Sequence, residues 1–374
     1  MGKIRLGIDA RLYGVQKRGI GRYTESLLQA LDGARDRYTL VAFIEQDNTL
    51  RQSLAERGWE VHEVRARVYG LREQLSFVQE LMKASLDLLH VPHFNVPYLY
   101  RRPYVVTVHD LILHHYPNRM SSTRSLPVYT FKYLAYRIGF RHTINAARQI
   151  ITVSGYTKED LLTYYPWLAP KTSSIIQPVQ LTVETVTDKV TNLHYNSNEP
   201  YVLVVGAFYP HKNIEELLDA WVAVGEHHKV TLVLVGPEDS FAKRLQDRLR
   251  KMESSVSRHV VFMGAVGDEE LRELYRKALF VLFPSLYEGF GLPGVEASLL
   301  GKSIVSSARS VLPESYGRSA VYVPAGNTVY LARALNALLA DARSTTERPP
   351  ISTTSIEQFR DQLLVVYDRA LQNK

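Results

Sequence analysis

The segment richest in chemistry is Phe283-Pro-Ser-Leu-Tyr-Glu288-Gly289-Phe290-Gly291-Leu292-Pro293-Gly-Val-Glu296-Ala. Its apolar start reads as the end of a strand. A glycine-rich loop follows, and Pro293 suits the first turn of a helix. Backbone N–H groups at such a turn, and in the loop Gly289–Gly291, can hold an anion, and glycine lets the backbone come close to it. Glu288 stands before this nest and Glu296 one turn into the helix. Carboxylates beside an anion site do not bind phosphate, but they accept hydrogen bonds from neutral hydroxyls. Together these groups suit a ligand carrying both, such as a nucleotide sugar. The plain alternative is a strand–loop–helix turn whose Glu296 complements the helix dipole.

A second segment is Tyr201-Val-Leu-Val-Val-Gly206-Ala-Phe-Tyr-Pro-His-Lys212-Asn213-Ile-Glu-Glu216. A strand ends at Gly206 and a helix begins after a short loop, with Asn213 and Glu216 spaced as a variant capping box. Lys212 then lies at the mouth of a helix N-terminus, where it could stabilise a leaving diphosphate. A solvated lysine at such a position is also common. A third, Gly19-Ile-Gly21-Arg-Tyr-Thr, follows the strand Lys3–Asp9 after the loop Ala10–Arg18. It departs from a dinucleotide fingerprint, and reads as a glycine lid over a phosphate or as a plain loop leading into a helix. A fourth, Tyr104-Val-Val-Thr-Val-His109-Asp110, sets His109 and Asp110 at the carboxyl end of a strand.

These segments need a scaffold, and the chain supplies one twice. Apolar runs at Lys3–Asp9, Thr39–Ile44, Leu86–Val91, Tyr104–His109 and Gln149–Ser154 alternate with helical periods such as Gly21–Leu31 and Leu71–Ala84. The pattern lapses over Gln177–Pro200. It restarts with Tyr201–Gly206, Val230–Gly236, His259–Gly264, Leu279–Phe283, Lys302–Ser306 and Ala320–Val323, and closes on an amphipathic helix, Ile356–Leu371. This is the rhythm of two doubly wound α/β domains with parallel sheets, joined by a linker at 179–199. Ligands of open α/β sheets bind outside the strands' carboxyl ends, so two such domains facing across a cleft would share a site.

The 374 residues include no cysteine, which removes disulfides and thiolate chemistry. The first thirty residues are too charged for a signal peptide, and no uncharged stretch is long enough to span a bilayer, so a cytoplasmic protein is expected. The net charge of +7 lies in the first half: residues 1–190 hold 25 Lys and Arg against 17 Asp and Glu. Over 98–148 the basic Arg101, Arg102, Arg119, Arg124, Lys132, Arg137, Arg141 and Arg148 face the single acid Asp110. There Tyr129, Phe131, Tyr133, Tyr136 and Phe140 interleave with Lys132, Arg137 and Arg141. That suits an anionic membrane surface or a lipid-diphosphate acceptor, or else a core helix with solvated arginines. No nucleic-acid recognition motif accompanies the charge. No Asp-x-Asp pair occurs, so a metal clamp on a diphosphate lacks its usual ligands.

Taken together, these residues resemble retaining glycosyltransferases of family 4, which have the GT-B architecture, and among them bacterial mannosyl- and hexosyltransferases of polysaccharide or glycolipid synthesis. The likeness rests on Gly19-Ile-Gly21-Arg-Tyr-Thr, Val108-His109-Asp110, Thr152-Val-Ser154-Gly-Tyr-Thr-Lys, Gly206 through Lys212-Asn213, Gly264-Ala-Val266-Gly-Asp, the pair Glu288 and Glu296 with seven residues between, and Leu312-Pro-Glu314.

The resemblance implies an acceptor-binding domain over 1–178, rejoined by the helix of 355–374, and a nucleotide-sugar domain over 200–354. It implies metal-independent transfer of a hexose, mannose from GDP-mannose first, to a glycan or lipid-linked hydroxyl with retention at the anomeric carbon. Glu288 would hold donor-sugar hydroxyls and Glu296 the ribose. The amides of Phe290, Gly291 and Leu292 would meet the diphosphate or hexose, Lys212 would neutralise the leaving phosphate, and Gly19 and Gly21 would approach it from the other domain. Val266 would lie beside the base and His109 near the anomeric centre, with Asp110, Ser154, Gly206 and Gly289 completing the donor site. Arg101, Arg102, Lys132, Arg137 and Arg141 would meet acceptor or membrane, placing the enzyme at the inner membrane face. Ala207 departs from relatives that carry Arg there. The competing expectations are an epimerase or phosphorylase on the same fold, and a two-domain ligand-binding protein without catalysis.

Overall fold

A computed structural model describes residues 2–14, 18–65, 68, 70, 73–117, 126–179, 199–222, 224–252, 259–341, 351 and 353–372. The chain divides into two compact units. One comprises Met1–Leu111, Ser125–Pro178 and Thr353–Lys374, and the other Ile112–Arg124 with Val179–Ser352.

In the first unit seven parallel strands form one sheet. They are β1 (Ile4–Asp9), β2 (Tyr38–Ile44), β3 (Glu60–Glu63), β4 (Leu88–Val91), β5 (Tyr104–Val108), β6 (Gln149–Thr152) and β7 (Thr172–Ser174), in the order β3-β2-β1-β4-β5-β6-β7. The inner strands are continuous apolar runs because helices cover both faces. Helix Arg18–Asp32 crosses from β1 to β2, and the C-terminal helix Ile356–Gln372 packs against it and against β4, β5 and β6. The expected return of the C-terminal helix to this unit is therefore observed. Phe359, Leu363, Val366 and Tyr367 form its buried stripe.

The second unit holds six parallel strands: β8 (Tyr201–Val205), β9 (Thr231–Val235), β10 (Val260–Gly264), β11 (Val281–Phe283), β12 (Ile304–Ser307) and β13 (Ala320–Val323). Their order, β10-β9-β8-β11-β12-β13, reverses between β8 and β11, so the chain leaves those two neighbours in opposite directions. That switch point opens a crevice at the strands' carboxyl ends. The core below it is closed by Trp221, Phe280, Leu282, Leu331 and Leu335.

Of the thirteen strands among the described residues, the sequence pattern marks eleven. The two it passed over, β3 and β7, are sheet edges: Glu60-Val-His-Glu63 is partly exposed and Thr172-Ser-Ser174 spans three residues. Over Leu71–Ala84 the described part is a π-turn at Glu73–Phe77 followed by helix Val78–Lys83. The expected linker falls almost wholly outside the described residues.

Candidate functional site

In the second unit the crevice at β8 and β11 is lined by Gly206 and Ala207 from the end of β8, Lys212 from the loop beyond, and Phe283, Ser285 and Glu288 from the end of β11. Lys212 Nζ donates to Glu288 Oε1 at 2.5 Å. Ser285 Oγ donates to the same oxygen at 2.7 Å, and the Glu288 amide donates to Ser310 Oγ at 2.9 Å. The loops carrying the pair are stitched together, since the Leu286 amide donates to the His211 carbonyl at 2.7 Å. Burial, and next the charge of Lys212, push the His211 imidazole down to about 4, so it is neutral near pH 7. Lys212 and Glu288 are 21% and 12% exposed, enough for a ligand to reach them and little enough for their charges to be felt strongly.

After Glu288 the loop passes Gly289 and Phe290 to Gly291, whose φ of 81° is left-handed and favours glycine. Helix Leu292–Leu299 starts there with Pro293 in its first turn, as the sequence suggested. In its first turn Pro293 carries no N–H and the Gly294 amide donates to the Gly291 carbonyl at 3.1 Å, which leaves the Leu292 amide at the positive end of the helix. Tyr316 holds this turn from behind. Its Oη donates to the Gly291 carbonyl at 2.8 Å, and its ring lies where a Cβ on Gly294 would come within 2.3 Å. Ser315 Oγ donates to the Phe290 carbonyl at 2.5 Å. Glu296 is buried within the same helix, and Tyr275 Oη donates to its Oε2 at 3.4 Å. Val266 follows β10 in the loop before helix Asp268–Lys277.

Two sequence expectations change. Asn213 is no reciprocal cap. It adopts a left-handed φ of 62°, and its Nδ2 donates to Glu216 Oε2 at 2.7 Å while the Gly326 amide also donates to that carboxylate. The helix expected from Gly21 begins earlier, so Gly19 and Gly21 form no glycine lid. They lie in the first turns of helix Arg18–Asp32, where Thr24 Oγ1 donates to the Ile20 carbonyl.

The first unit places His109 and Asp110 just past β5. His109 Nε2 and the Pro92 carbonyl are 2.8 Å apart, and the Tyr23 ring stands edge-on at 4.9 Å. Burial pushes the His109 imidazole down to about 4, so it is neutral near pH 7. Beneath it a buried chain runs from Tyr23 Oη to Thr107 Oγ1 (3.0 Å), to His90 Nε2 (2.8 Å), and from His90 Nδ1 to Tyr367 Oη (2.7 Å) of the C-terminal helix. Ser154 caps helix Gly155–Tyr164, accepting from the Thr157 amide at 3.0 Å. Its hydroxyl is thus engaged in local structure.

Sequence reasoning missed Ser285, Ser310 and Tyr316. Ser285 was legible inside the glycine-rich string, whereas Ser310 and Tyr316 reach the loop only through the fold. It also missed a buried ion network at the end of β1. Arg11 Nε and Nη2 donate to the two oxygens of Asp9 at 2.8 and 2.7 Å, and Nη2 donates to Glu73 at 2.6 Å. Asn95 Nδ2 donates to both Glu73 oxygens.

Residues 199–341 match the family described as glycosyl transferases group 1, and residues 17–178 match glycosyltransferase family 4. The O-antigen chain mannosyltransferase RfbU of Salmonella typhimurium is 27% identical over 63% of this chain and 60% of its own length. The O-antigen chain mannosyltransferase B of Escherichia coli is 24% identical over 80% of this chain and 81% of its own. The match to the first of these therefore spans less than two thirds of that protein. The Anabaena protein HepE, solved with UDP and glucose, superposes with a TM-score of 0.63 at 19% identity, covering 99% of this chain and 98% of its own. At that identity the likeness is one of fold.

Proposed function

From the premise that this chain belongs to the glycosyltransferases, with a family 4 domain over 17–178 and a group 1 domain over 199–341, we propose that it transfers a hexose, mannose first, from a nucleoside diphosphate sugar to a hydroxyl of a glycan or lipid-linked glycan, with retention. The observation that carries the reading is the Lys212–Glu288 pair at the sheet's switch point, beside the N-terminus of helix Leu292–Leu299. One charge of each sign, set against a helix end, suits a ligand with anionic and hydroxyl-bearing parts.

In this mechanism the diphosphate is held by Lys212 and the amides of the Gly291–Leu292 turn, and Glu288 accepts hydrogen bonds from the hexose hydroxyls. Ser285 keeps that carboxylate oriented when the donor draws Lys212 away. As the glycosidic bond breaks, negative charge grows on the departing phosphate. Groups fixed before the reaction stabilise it without reorganising. The sugar develops oxocarbenium character, and the acceptor attacks from the leaving-group face while a donor phosphate oxygen takes its proton. Lys212 and the amides supply the positive charge, so the reaction is written without a metal. His109 of the first unit is neutral near pH 7, so its part in the reaction is that of a hydrogen-bonding group rather than a cation. Glu296 is assigned to the ribose. The mannosyl specificity takes its support from the two O-antigen relatives.

The test is transfer from GDP-mannose, UDP-glucose and UDP-galactose to lipid-linked glycan acceptors, with the product's anomeric configuration read by NMR. A mannosylated product of retained configuration is expected. Hydrolysis alone, or interconversion of the donor sugar without acceptor, would overturn the reading.

A further inference from the structure

Helix Leu126–Ala146 of the first unit buries one face and leaves the other bare. Phe140 and Ile144 join the core, and Tyr136 packs on Phe94 with ring centres 5.3 Å apart. On the opposite face Val128, Phe131, Leu134 and Ile138 are 43%, 74%, 58% and 59% exposed. Spacings of three and four residues align them in one stripe. A helix with apolar residues on both faces is ordinarily buried on both. Here the outer stripe faces solvent over about three turns.

What surrounds the stripe narrows the choice of what covers it. Exposed Lys132 and Arg141 lie on the same helix, and exposed Arg101 follows the neighbouring loop. That loop brings Tyr98 against the helix at Gly139 and His142, with the exposed Leu99 beside it. At the far end Trp167 is 54% exposed, donates Nε1–H to Asn145 Oδ1 at 2.9 Å, and lies 5.8 Å from the Arg141 guanidinium. No acid occurs between Leu111 and Arg148. The surface is thus apolar at its centre, with Tyr and Trp at the margins and positive charge around it. A protein partner of mixed charge does not require this pattern. An anionic bilayer complements it in every part, since aliphatic side chains enter the acyl boundary, ring-edge donors sit at headgroup depth, and Lys and Arg meet lipid phosphates.

We infer that the exposed face of helix Leu126–Ala146, with the Tyr98–Leu99 loop and Trp167, is the surface by which the first unit docks on an anionic lipid bilayer. The inference rests on the reading that the acceptor is membrane-borne, and it names the side chains that enter the membrane.

The test is cosedimentation of the full chain with vesicles of phosphatidylcholine alone and of phosphatidylcholine mixed with phosphatidylglycerol. Binding only to the anionic vesicles is expected, weakening as salt is raised. The Phe131→Asp and Ile138→Asp variants should lose that binding while GDP-mannose still raises their melting temperature as in the wild type. Removing two charges with Lys132→Ala and Arg141→Ala should lower affinity roughly thirtyfold. Equal binding to both vesicle types, or a Phe131→Asp variant that binds as the wild type does, overturns the inference. So does a concentration-dependent dimer that Phe131→Asp dissociates with no vesicle binding, which would make the face a self-association surface. Donor-dependent transfer without vesicle binding would leave the enzymatic reading intact and defeat this one alone. Vesicle binding without transfer would do the reverse.

Discussion

Gly294 is where the glycine-rich turn is most sharply constrained, and Gly294→Ala tests whether that turn forms the donor site. A Cβ there would stand 2.3 Å from both Cζ and Oη of Tyr316 and 2.6 Å from Cε1, against the 3.4 Å at which ordinary contact begins. The ring is fully buried, so it cannot swing into solvent. A retreat large enough to clear the clash stretches the Oη–Gly291 hydrogen bond beyond reach. Overpacking costs about 1–3 kcal/mol and the orphaned hydroxyl about 1–3 kcal/mol more, while alanine returns at most about 1 kcal/mol of helix propensity. The net expectation is a loss of about 2–4 kcal/mol in urea unfolding. Affinity for GDP-mannose should fall about tenfold in calorimetric titration, because the displaced Gly291 carbonyl carries the Leu292 amide with it. Tyr316→Phe should cost only about 1 kcal/mol by itself, and it should not rescue Gly294→Ala, because Cζ remains in the way. Tyr316→Leu should rescue part of the loss. If Gly294→Ala unfolds and binds donor as the wild type does, the assignment of this turn is wrong.

Other outcomes follow from the same geometry. Lys212→Met should lower kcat/KM by about 10²–10³ in the transfer assay and cost about 1–3 kcal/mol in unfolding, since it leaves the largely buried Glu288 carboxylate with Ser285 in place of its charged partner. Tyr367→Phe leaves His90 Nδ1 without its partner and should cost about 1–3 kcal/mol, measurable as earlier proteolytic release of the C-terminal helix. Burial lowers the His90 and His93 imidazoles to about 3, the nearby His109 adding to it. The unfolded chain therefore binds protons that the native state refuses, and stability should fall as pH drops below about 6.5, by about 1.4 kcal/mol for each group at pH 5.5. A urea-unfolding series from pH 7.5 to 5.5 that stayed flat for the wild type would contradict this.

Much of the architecture was legible in the sequence because its strands are central and buried. Ala320–Val323 was bounded to the residue, and the apolar runs of β1, β2, β8 and β9 were each placed within a residue or two. Edge strands carry polar side chains and need only one neighbour, so Glu60–Glu63 and Thr172–Ser174 left no periodic signal. The crevice residues Gly206, Lys212 and Glu288 were legible because loop and strand-end chemistry is local. Tyr316 was not, since its meaning depends on two glycines it meets only after folding. Asn213 and Gly19 show the limit of spacing arguments. The first meets the Glu216 side chain without capping, and the second is absorbed into a helix whose first turn tolerates glycine. The Asp9–Arg11–Glu73 network is likewise invisible in one dimension, because Glu73 is separated from Arg11 by 62 positions.

The most direct measurement is calorimetric titration of the wild type and Glu288→Gln with GDP-mannose and with GDP. If the crevice holds a sugar through Glu288 and its phosphates through Lys212, the variant should lose most of its preference for the sugar nucleotide while binding GDP about as tightly as the wild type. Identical affinities of the two proteins for GDP-mannose would contradict the account.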